Sequence, residues 1–401
     1  MKILIVPFNL LSHVGRCLTI AKSLKEQFQV TFLISKEYIS FVAEHGFYYR
    51  IIHNQDNDIL SKVKLSDFSW INKQNILSNF KYLTSAIKEI NPDLVISDSN
   101  IFTSISCEYL GVPHISLVNT YMTRYFAERH TDISYLNIKP KLFISLLYKL
   151  IPEPKRSEIF KRGEDIYLRN FHAPFRFIRN QYTLSEKHHL FDEFEGDEVF
   201  LLDPEEIFPI VKNKKTKVIG PIYYNLNDVK TEKVKFYKNK PNILITLGSS
   251  GDIKNFLFLE KINLTKTYNV ILLGESSFSL RIDGAQRIKF ANIRQIADYI
   301  DVVVCHGGNG TVYSFLSKGV ASITIPSHIE QYWFSYQIHK KGLGVLYNPQ
   351  NKTRINEIIE NLIDIRRKGL LNDISKLFDV ERSVESFKSY LFNFIKNKNM
   401  G

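Results

Sequence analysis

The sequence predicts an α/β protein of two domains, each built around a parallel β-sheet. The chain has 401 residues, which is too long for one ordinary hydrophobic core. Near the N-terminus, strand patterns at Lys2–Phe8 and Val30–Ser35 flank a helix pattern at His13–Lys25. This is a βαβ unit, whose two strands lie parallel. A second α/β repeat begins at Ile243–Leu247.

The N-terminal half continues the same alternation. Asp93–Ser97 and His114–Asn119 have the apolar composition of buried strands, and Ile101–Leu110 between them has a helical pattern. A glycine–proline pair at 220–221 and a polar, charged stretch at 225–239 indicate a linker. We therefore expect an N-terminal domain over residues 1–220, a linker over 221–240, a second domain over 241–380, and a C-terminal helix and tail over 381–401 that pack back on the first domain.

Composition excludes several classes of protein. The three cysteines are too far apart in sequence to predict a disulfide framework or a zinc site. The first residues, MKILIVPF, enter a strand directly instead of forming a signal peptide. No apolar run approaches the roughly 20 residues that span a bilayer. We therefore expect a cytoplasmic protein.

The net charge of +12 indicates an anionic partner. Nucleic acid is one candidate, but the chain has no helix-turn-helix, RNA-binding or zinc-finger signature, so we expect no nucleic acid. Anionic lipid is another, because residues 139–162 hold seven Lys or Arg against two Glu, interleaved with apolar side chains. This stretch fits a helix in peripheral contact with a membrane, and it fits better a core-facing helix with a solvated basic face.

The most distinctive stretch is CHGGNGTVYSFLSKGVASITIPSHIEQ, residues 305–331. The run DVVVC that ends at Cys305 predicts a buried strand, and the glycines after it predict a turn. A helical pattern with an apolar face begins near Val312. A second strand pattern covers Ala321–Pro326, and a polar loop after it carries Glu330 and Gln331.

A strand that meets a helix through glycines is suited to bind an anion. The N–H groups of the first helical turn point outward, with the positive end of the helix dipole behind them. We predict that this turn binds a phosphate or pyrophosphate; the alternative is a tight turn without a ligand. The histidine before the glycines and the acid–amide pair after the next strand favour the phosphate site. The stretch matches neither GxxxxGK[ST] nor GxGxxG, because Tyr313 replaces the third glycine.

Three more polar residues follow predicted strands, at the edge where ligands of α/β sheets bind. His13 follows the first strand and is suited to proton transfer near neutral pH, or else it caps or packs locally. Asp98 lies at the same edge and orients that imidazole, caps the next helix, or does both. Ser249 either contacts a second phosphate or belongs to a plain Gly/Ser turn.

These features resemble the nucleotide-sugar glycosyltransferases of the UDP-glycosyltransferase superfamily. Their GT-B fold has two Rossmann-like domains with parallel sheets facing across a cleft. The motif HGGNGT, followed about twenty residues later by an acid and a glutamine, is similar to their donor signature. The likeness is specific over residues 242–347 and moderate at His13–Arg16. It is weak from about 54 to 213, the acceptor-binding region.

The resemblance implies a role for each matching residue. His13 is the general base and Asp98 orients it. One departure is Ser314, which stands where many members carry a Glu that binds ribose and so leaves UDP and dTDP open. The other matching residues bind the donor. Its sugar is bound by Glu330 and Gln331, and its base lies against the loop at Asn292 and Ile293, which lacks the usual Pro-Gln. Its diphosphate is bound by His306, Gly308, Asn309, Gly310, Thr311 and Ser249.

The implied function is transfer of a sugar from a UDP- or dTDP-sugar to a hydroxyl of a small molecule or lipid, with inversion. His13 takes the hydroxyl proton while the nucleoside diphosphate leaves. We expect no metal, because the only DxD triplet, Asp56-Asn57-Asp58, fits a solvated turn. We expect no cofactor beyond the nucleotide sugar. The alternatives are a nucleotide-sugar 2-epimerase and a non-catalytic nucleotide-sugar-binding partner protein.

Overall fold

A computed structural model of the chain describes residues 1–52, 59, 61–63, 67–129, 152–224, 232–237, 239–349 and 354–398. The chain divides into two compact units. Unit 1 comprises Met1–Ile222 and Val380–Gly401, and unit 2 comprises Tyr223–Asp379. Most of the basic stretch at 139–162 and much of the predicted linker lie outside the described residues, as do Asp56, Asn57 and Asp58.

Unit 1 contains a seven-stranded sheet in the order β3-β2-β1-β4-β5-β6-β7. Every pair of neighbouring strands is parallel, which confirms the predicted parallel sheet. The strand order reverses between β1 and β4, and ligands of open α/β sheets bind at such a switch point. The strands are β1 (Lys2–Pro7), β2 (Gln29–Ile34), β3 (Tyr48–Ile51), β4 (Leu94–Asp98), β5 (His114–Val118), β6 (Glu198–Leu201) and β7 (Thr216–Val218).

One helix of unit 1, Lys73–Ile90, begins and ends where local chemistry predicts. The side chain of Asn72 accepts a hydrogen bond from Asn75 N and caps this helix, which Asn91 ends in a left-handed conformation before Pro92. The C-terminal helix packs in the same unit, with the rings of Phe28 and Phe392 6.0 Å apart. The helices are α1 (Leu11–Leu24), α2 (Ile39–Ala43), α3 (Lys73–Ile90), α4 (Thr103–Leu110), α5 (Glu153–Phe171), α6 (Ala173–Gln181) and, at the C-terminus, α13 (Val380–Asn397).

Unit 2 contains a six-stranded parallel sheet in the order β10-β9-β8-β11-β12-β13. Its switch point lies between β8 and β11, so the turns after these two strands meet at one edge. The strands are β8 (Asn242–Thr246), β9 (Asn269–Leu273), β10 (Gln286–Ile288), β11 (Val302–Cys305), β12 (Ser322–Thr324) and β13 (Gly344–Leu346). The helices are α7 (Leu264–Thr267), α8 (Ile293–Ile296), α9 (Asn309–Leu316), α10 (Ile329–Lys340), α11 (Ile355–Arg367) and α12 (Asn372–Ser375).

Two local sequence patterns in unit 2 predict something other than the structure observed. Residues Arg294–Ile300 have the pattern of one helix, but the structure has the four-residue α8 followed by a 3-10 turn at Ala297–Tyr299. Glu330 and Gln331 lie in the first turn of α10, not in a loop before it. An acidic residue is favourable there because the N-terminal end of a helix carries partial positive charge.

None of the helices in the described part of the chain is long and apolar enough to cross a lipid bilayer.

Candidate active site

The structure brings His13 and Asp98 together at the switch point of unit 1. Because β1 and β4 are neighbours in register, Pro7 lies beside Asp98, and α1 carries His13 back over that edge. His13 Nδ1 lies 3.1 Å from Asp98 Oδ1, although the two residues are 85 positions apart. The His13 side chain is 17% exposed and that of Asp98 is fully buried. A ligand can therefore reach the imidazole but not the carboxylate.

The alternative role of Asp98 as a helix cap is wrong. Helix α4 begins at Thr103, its N-cap is Phe102, and no side chain caps it. The Asp98 carboxylate instead accepts two hydrogen bonds from Arg16, from Nε at 2.8 Å and from Nη2 at 2.5 Å. A guanidinium that holds a carboxylate at two points makes one of the strongest side-chain pairs in proteins.

Arg16 decides the charge of Asp98. Burial alone would raise the pKa of Asp98, but the charges of Arg16 and His13 lower it to about 2. Burial has the opposite consequence for the neighbouring Cys17, because it raises the pKa of that thiol well above its usual value. At neutral pH the site therefore holds a carboxylate, a guanidinium and a neutral thiol.

A chain of buried hydrogen bonds continues from Arg16 along the sheet edge. Arg16 Nη1 donates to Asn119 Oδ1 at 3.3 Å, and Asn119 Nδ2 donates to Asp203 Oδ1 at 3.0 Å. The backbone N–H of Thr120 donates to the other Asp203 oxygen at 2.5 Å. No sequence motif predicts a functional role for these residues. Asn119 and Asp203 follow strands β5 and β6, so the rule that selected Asp98 also applies to them.

The glycine turn of unit 2 lies between β11 and α9. Gly307 has a φ of +81°, a conformation that side chains rarely adopt. Gly308 is the N-cap of α9 and has extended backbone angles. Because glycine has no side chain, no side-chain oxygen of the cap competes with a ligand for the N–H groups of the first turn. Thr311, in that turn, is half-buried.

His306 is packed among glycines. A Cβ atom added to Gly251 would lie 2.9 Å from His306 Cβ, and one added to Gly308 would lie 2.9 Å from His306 Cε1. Gly248, in the turn after β8, faces the same ring. Burial lowers the pKa of His306 to about 4, although a hydrogen bond to the backbone of Thr246 opposes the shift. The ring is therefore neutral at pH 7 and carries no positive charge, and its one N–H group is engaged with the backbone of Thr246.

The remaining predicted donor residues differ in how accessible they are. Ser249 is exposed in the turn that follows β8, and Glu330 is half-buried on α10. Gln331 is 1% exposed and its amide already has partners. Its Oε1 accepts from Ser327 N at 2.8 Å, and its Nε2 donates to Ser250 Oγ at 3.0 Å. In this conformation the Gln331 amide joins two loops of unit 2.

The two departures from the family pattern have structural explanations. The side chain of Asn292 caps α8 by accepting from Arg294 N at 3.0 Å, which leaves Ile293 half-buried beside it. Ser314 Oγ donates to Gly310 O at 2.7 Å within α9. A serine that bonds back to its own helix has no spare hydroxyl hydrogen for a ribose oxygen.

The side chains that the structure describes contain no group of three or more His, Cys, Asp or Glu arranged to hold a metal ion. The two sites themselves consist of a His–Asp–Arg cluster in unit 1 and of a glycine-lined helix N-terminus in unit 2.

Comparison with known proteins finds a family match over residues 239–384 and relatives along most of the chain. Residues 239–384 match the glycosyltransferase family 28 C-terminal domain. A PGL/p-HBAD biosynthesis glycosyltransferase of Mycobacterium tuberculosis (strain ATCC 25177 / H37Ra) is 25% identical over 359 residues, which cover 84% of this chain and 78% of that protein. A PGL/p-HBAD biosynthesis rhamnosyltransferase of Mycobacterium bovis (strain BCG / Pasteur 1173P2) is 24% identical over 357 residues, which cover 84% and 74% of the two chains.

The fold also matches solved structures over nearly the whole chain. The spinosyn rhamnosyltransferase SpnG complexed with thymidine diphosphate aligns with a TM-score of 0.58 and 12% identity, covering 97% of this chain and 96% of that one. The likeness shows a shared fold of two parallel-sheet α/β domains. Together with the family 28 C-terminal domain match over residues 239–384 and the similar glycosyltransferases, it indicates a glycosyltransferase of the GT-B fold.

Proposed function

We propose that this glycosyltransferase is inverting and metal-independent, and that it uses His13 as the general base. The observation that carries the proposal is the His13–Asp98 pair: Nδ1 of the ring faces a buried carboxylate, and the side chain is partly exposed. With the proton on Nδ1 directed at Asp98, Nε2 has a free lone pair. That nitrogen removes the proton of an acceptor hydroxyl as its oxygen attacks the anomeric carbon.

The diphosphate of the donor binds at the N-terminus of α9. Gly308, Asn309, Gly310 and Thr311 provide the helix tip, and Ser249 is exposed in the turn after β8, at the same switch point. Backbone N–H groups stabilise the negative charge that develops on the leaving nucleoside diphosphate, and they need no metal ion to do so. His306 adds its N–H group after exchanging its bond to the backbone of Thr246 for one to the phosphate. Because one displacement needs one base and no enzyme nucleophile, the anomeric configuration inverts.

Ser314 favours dTDP over UDP as the nucleotide. The hydroxyl that stands in the ribose-binding position of the family donates to Gly310 O, and it lacks the carboxylate with which the family's Glu binds ribose, so a 2′-hydroxyl gains less at that position. A deoxyribose has no 2′-hydroxyl and loses no contact there. The thymidine diphosphate complex of SpnG and the rhamnosyltransferase among the relatives support a dTDP-sugar, with dTDP-rhamnose as the first donor to test.

The sugar and acceptor contacts stay proposals of the same kind. Glu330 binds sugar hydroxyls, and Gln331 joins it after exchanging one of its present partners. Ile293 lies against the base. The acceptor is a small molecule or a lipid, and the protein is cytoplasmic, with residues 139–162 as its peripheral contact if the acceptor is a membrane lipid.

Two experiments test the proposal. The first is a thermal-shift panel of dTDP, UDP and GDP, in which dTDP should raise Tm most because it binds the folded state most tightly. The second is a transfer assay with dTDP-rhamnose and a set of phenols and lipid alcohols. His13→Ala should lower kcat by about 10²–10⁴-fold, the usual range for loss of a general base. His188→Ala is the matched control, because its side chain is 57% exposed elsewhere in unit 1.

The assay separates the alternatives. Conversion of the donor without any acceptor, unaffected by His13→Ala, would identify an epimerase. Binding of dTDP without turnover in either protein would identify a non-catalytic binding partner. Equal transfer rates in wild type and His13→Ala would contradict the base assignment.

A further inference from the structure

The carboxylate that faces His13 is shared with a second cation. Arg16 Nη2 and His13 Nδ1 approach the same oxygen, Asp98 Oδ1, at 2.5 Å and 3.1 Å. Arg16 Nη2 also lies 3.0 Å from His13 Nδ1. In a simple His–Asp pair, the carboxylate would offer its whole charge to the imidazolium that forms when the base takes a proton. Here Arg16 already neutralises that charge.

His13 Nδ1 therefore has two neighbours of opposite kind. A proton on Nδ1 can be donated to Asp98, which only accepts, but it is repelled by Arg16, which only donates. An imidazolium at this position is attracted by one unit charge and repelled by another at almost the same distance. Because the guanidinium stays protonated at every pH at which proteins fold, its effect on the ring is permanent.

We propose that Arg16 is a positioning residue that sets the protonation state of His13. It holds Asp98 at two points so that the carboxylate orients the ring through Nδ1. Its charge also disfavours the imidazolium, so that Nε2 keeps its lone pair at lower pH than an unopposed His–Asp pair would allow. This inference rests on the proposed role of His13 as the general base.

The rest of the buried cluster keeps Arg16 in place. Arg16 is 4% exposed, and its third nitrogen donates to Asn119, which is itself bound to the buried Asp203. A long side chain whose guanidinium is hydrogen-bonded along two edges keeps its position when the His13 ring changes its protonation state. The network has the form expected of a structure that holds a charge at a defined distance from the base.

No other charge in the described surroundings takes over this role. On α1, Cys17 lies 3.9 Å from Asp98 Oδ2, and its raised pKa keeps it neutral. After β5, Tyr121 is buried near Arg16. Asp203, after β6, reaches Arg16 only through Asn119. On the β1 side, the ring of Phe8 meets His13 edge-on at 5.7 Å and carries no charge.

The test is the pH dependence of kcat/KM for transfer in Arg16→Gln and Arg16→Lys. Removing the charge in Arg16→Gln leaves Asp98 wholly available to the imidazolium. The acidic limb of the profile should then move to higher pH by about one unit. Arg16→Lys retains a charge but loses the two-point contact, so its limb should move in the same direction by less. A purely structural role would lower Tm and leave the limb where it is.

Direct titration of the ring makes the test independent of activity. NMR of imidazole-labelled protein, with His13→Ala to assign the signal, reports the protonation of His13 and which nitrogen carries the proton. The ring titration should shift upward in both variants, and should Arg16→Gln fail to fold, Arg16→Lys carries the test. An unmoved titration and an unmoved acidic limb in a folded variant would overturn the inference.

The two levels of the proposal fail separately. If His13→Ala retains full transfer activity, the general-base proposal fails and the Arg16 inference fails with it. If His13→Ala is inactive but neither Arg16 variant moves the titration, only the Arg16 inference fails.

Discussion

The switch-point edges of the two units differ in the groups that form them. In unit 1 the site consists of charged side chains: His13, Arg16 and Asp98 are joined by hydrogen bonds of 2.5 to 3.1 Å. In unit 2 the site consists mainly of backbone, because three glycines, which have no side chains, surround one neutral histidine. The same sheet geometry therefore supports a proton-transfer site in one unit and an anion site in the other.

The difference shows how each site controls charge. Unit 1 pairs its charges, so that Asp98 stays ionised with a pKa of about 2 even though it is fully buried. In unit 2, burial keeps His306 neutral down to a pH of about 4. A site that leaves its charge to the ligand suits a diphosphate, whereas a site with balanced charges suits a group that must gain and lose a proton. Substitutions should therefore harm the two edges in different ways.

The largest expected effect is on the acid stability of unit 2. The unfolded chain protonates a histidine near its ordinary pKa of 6.5, whereas folded His306 resists protonation until a pH of about 4. Between these values the unfolded state binds more protons, so stability falls as pH falls. The contribution of the neutral His306 ring to the free energy of unfolding is on the order of 3 kcal/mol. It is fully present above pH 6.5 and absent below pH 4.

His306→Gln removes this titration, so the variant should lose less Tm than wild type between pH 7 and pH 4. Thermal scans across that range measure the difference in Tm between wild type and His306→Gln, and this difference should become steadily smaller as the pH falls. His339→Gln, an exposed position on α10, is the control and should run parallel to wild type. A wild-type–His306→Gln difference that is constant with pH would show that burial of a neutral ring plays no part.

Next in size is the effect of adding one methyl group at the glycine turn. In Gly308→Ala the new Cβ would lie 2.9 Å from His306 Cε1 and closer still to Nε2, and that ring has no room to move because Gly248 and Gly251 pack against it. Overpacking of this kind costs about 1–3 kcal/mol. We expect a lower Tm and about tenfold weaker binding of dTDP by calorimetry.

Gly310→Ala is the matched control for stability. It lies two residues away, inside α9, and its added Cβ would meet nothing nearer than Tyr223 Cβ at 3.8 Å. Alanine is favoured over glycine in a helix, so Tm should stay or rise, by up to about 1 kcal/mol in stability. Equal destabilisation by both substitutions would mean that the glycines are needed for backbone freedom and not for space around His306.

The sequence was most informative where function depends on local pattern. The parallel sheets followed from alternating strand and helix patterns, and the glycine turn is visible as six consecutive letters. The His13–Asp98 pair was within reach because both residues follow strands that become neighbours. Arg16 was not, because an arginine on an amphipathic helix is usually solvated.

In unit 2 the sequence does not show which way the site side chains point. A histidine beside glycines suggests a ligand contact, but the sequence does not show that the glycines leave room for the histidine itself. Gln331 matches the family motif, yet its amide joins Ser327 and Ser250. Such contacts join residues that are distant in the chain or depend on one rotamer, and neither leaves a periodic signal in the sequence.

The smallest expected effect compares two serines at the edge of unit 2. Ser249 is exposed after β8, whereas the hydroxyl of Ser314 is already bonded to Gly310 O. Ser249→Ala should weaken dTDP binding by about fivefold, which corresponds to about 1 kcal/mol for one hydrogen bond to a phosphate oxygen. Ser314→Ala should change dTDP binding by less than about twofold, because its hydroxyl serves the helix and not the ligand.

Calorimetric titration of both variants with dTDP and with UDP decides this comparison. The ratio of the UDP to the dTDP dissociation constant should be the same in Ser314→Ala as in wild type. A loss of UDP affinity alone in Ser314→Ala would show that the hydroxyl leaves Gly310 to bind a ribose 2′-hydroxyl. UDP would then be the preferred candidate nucleotide. A Ser249→Ala variant that binds dTDP as wild type does would restrict the diphosphate contacts to the tip of α9, so that unit 2 would bind its ligand almost wholly through backbone.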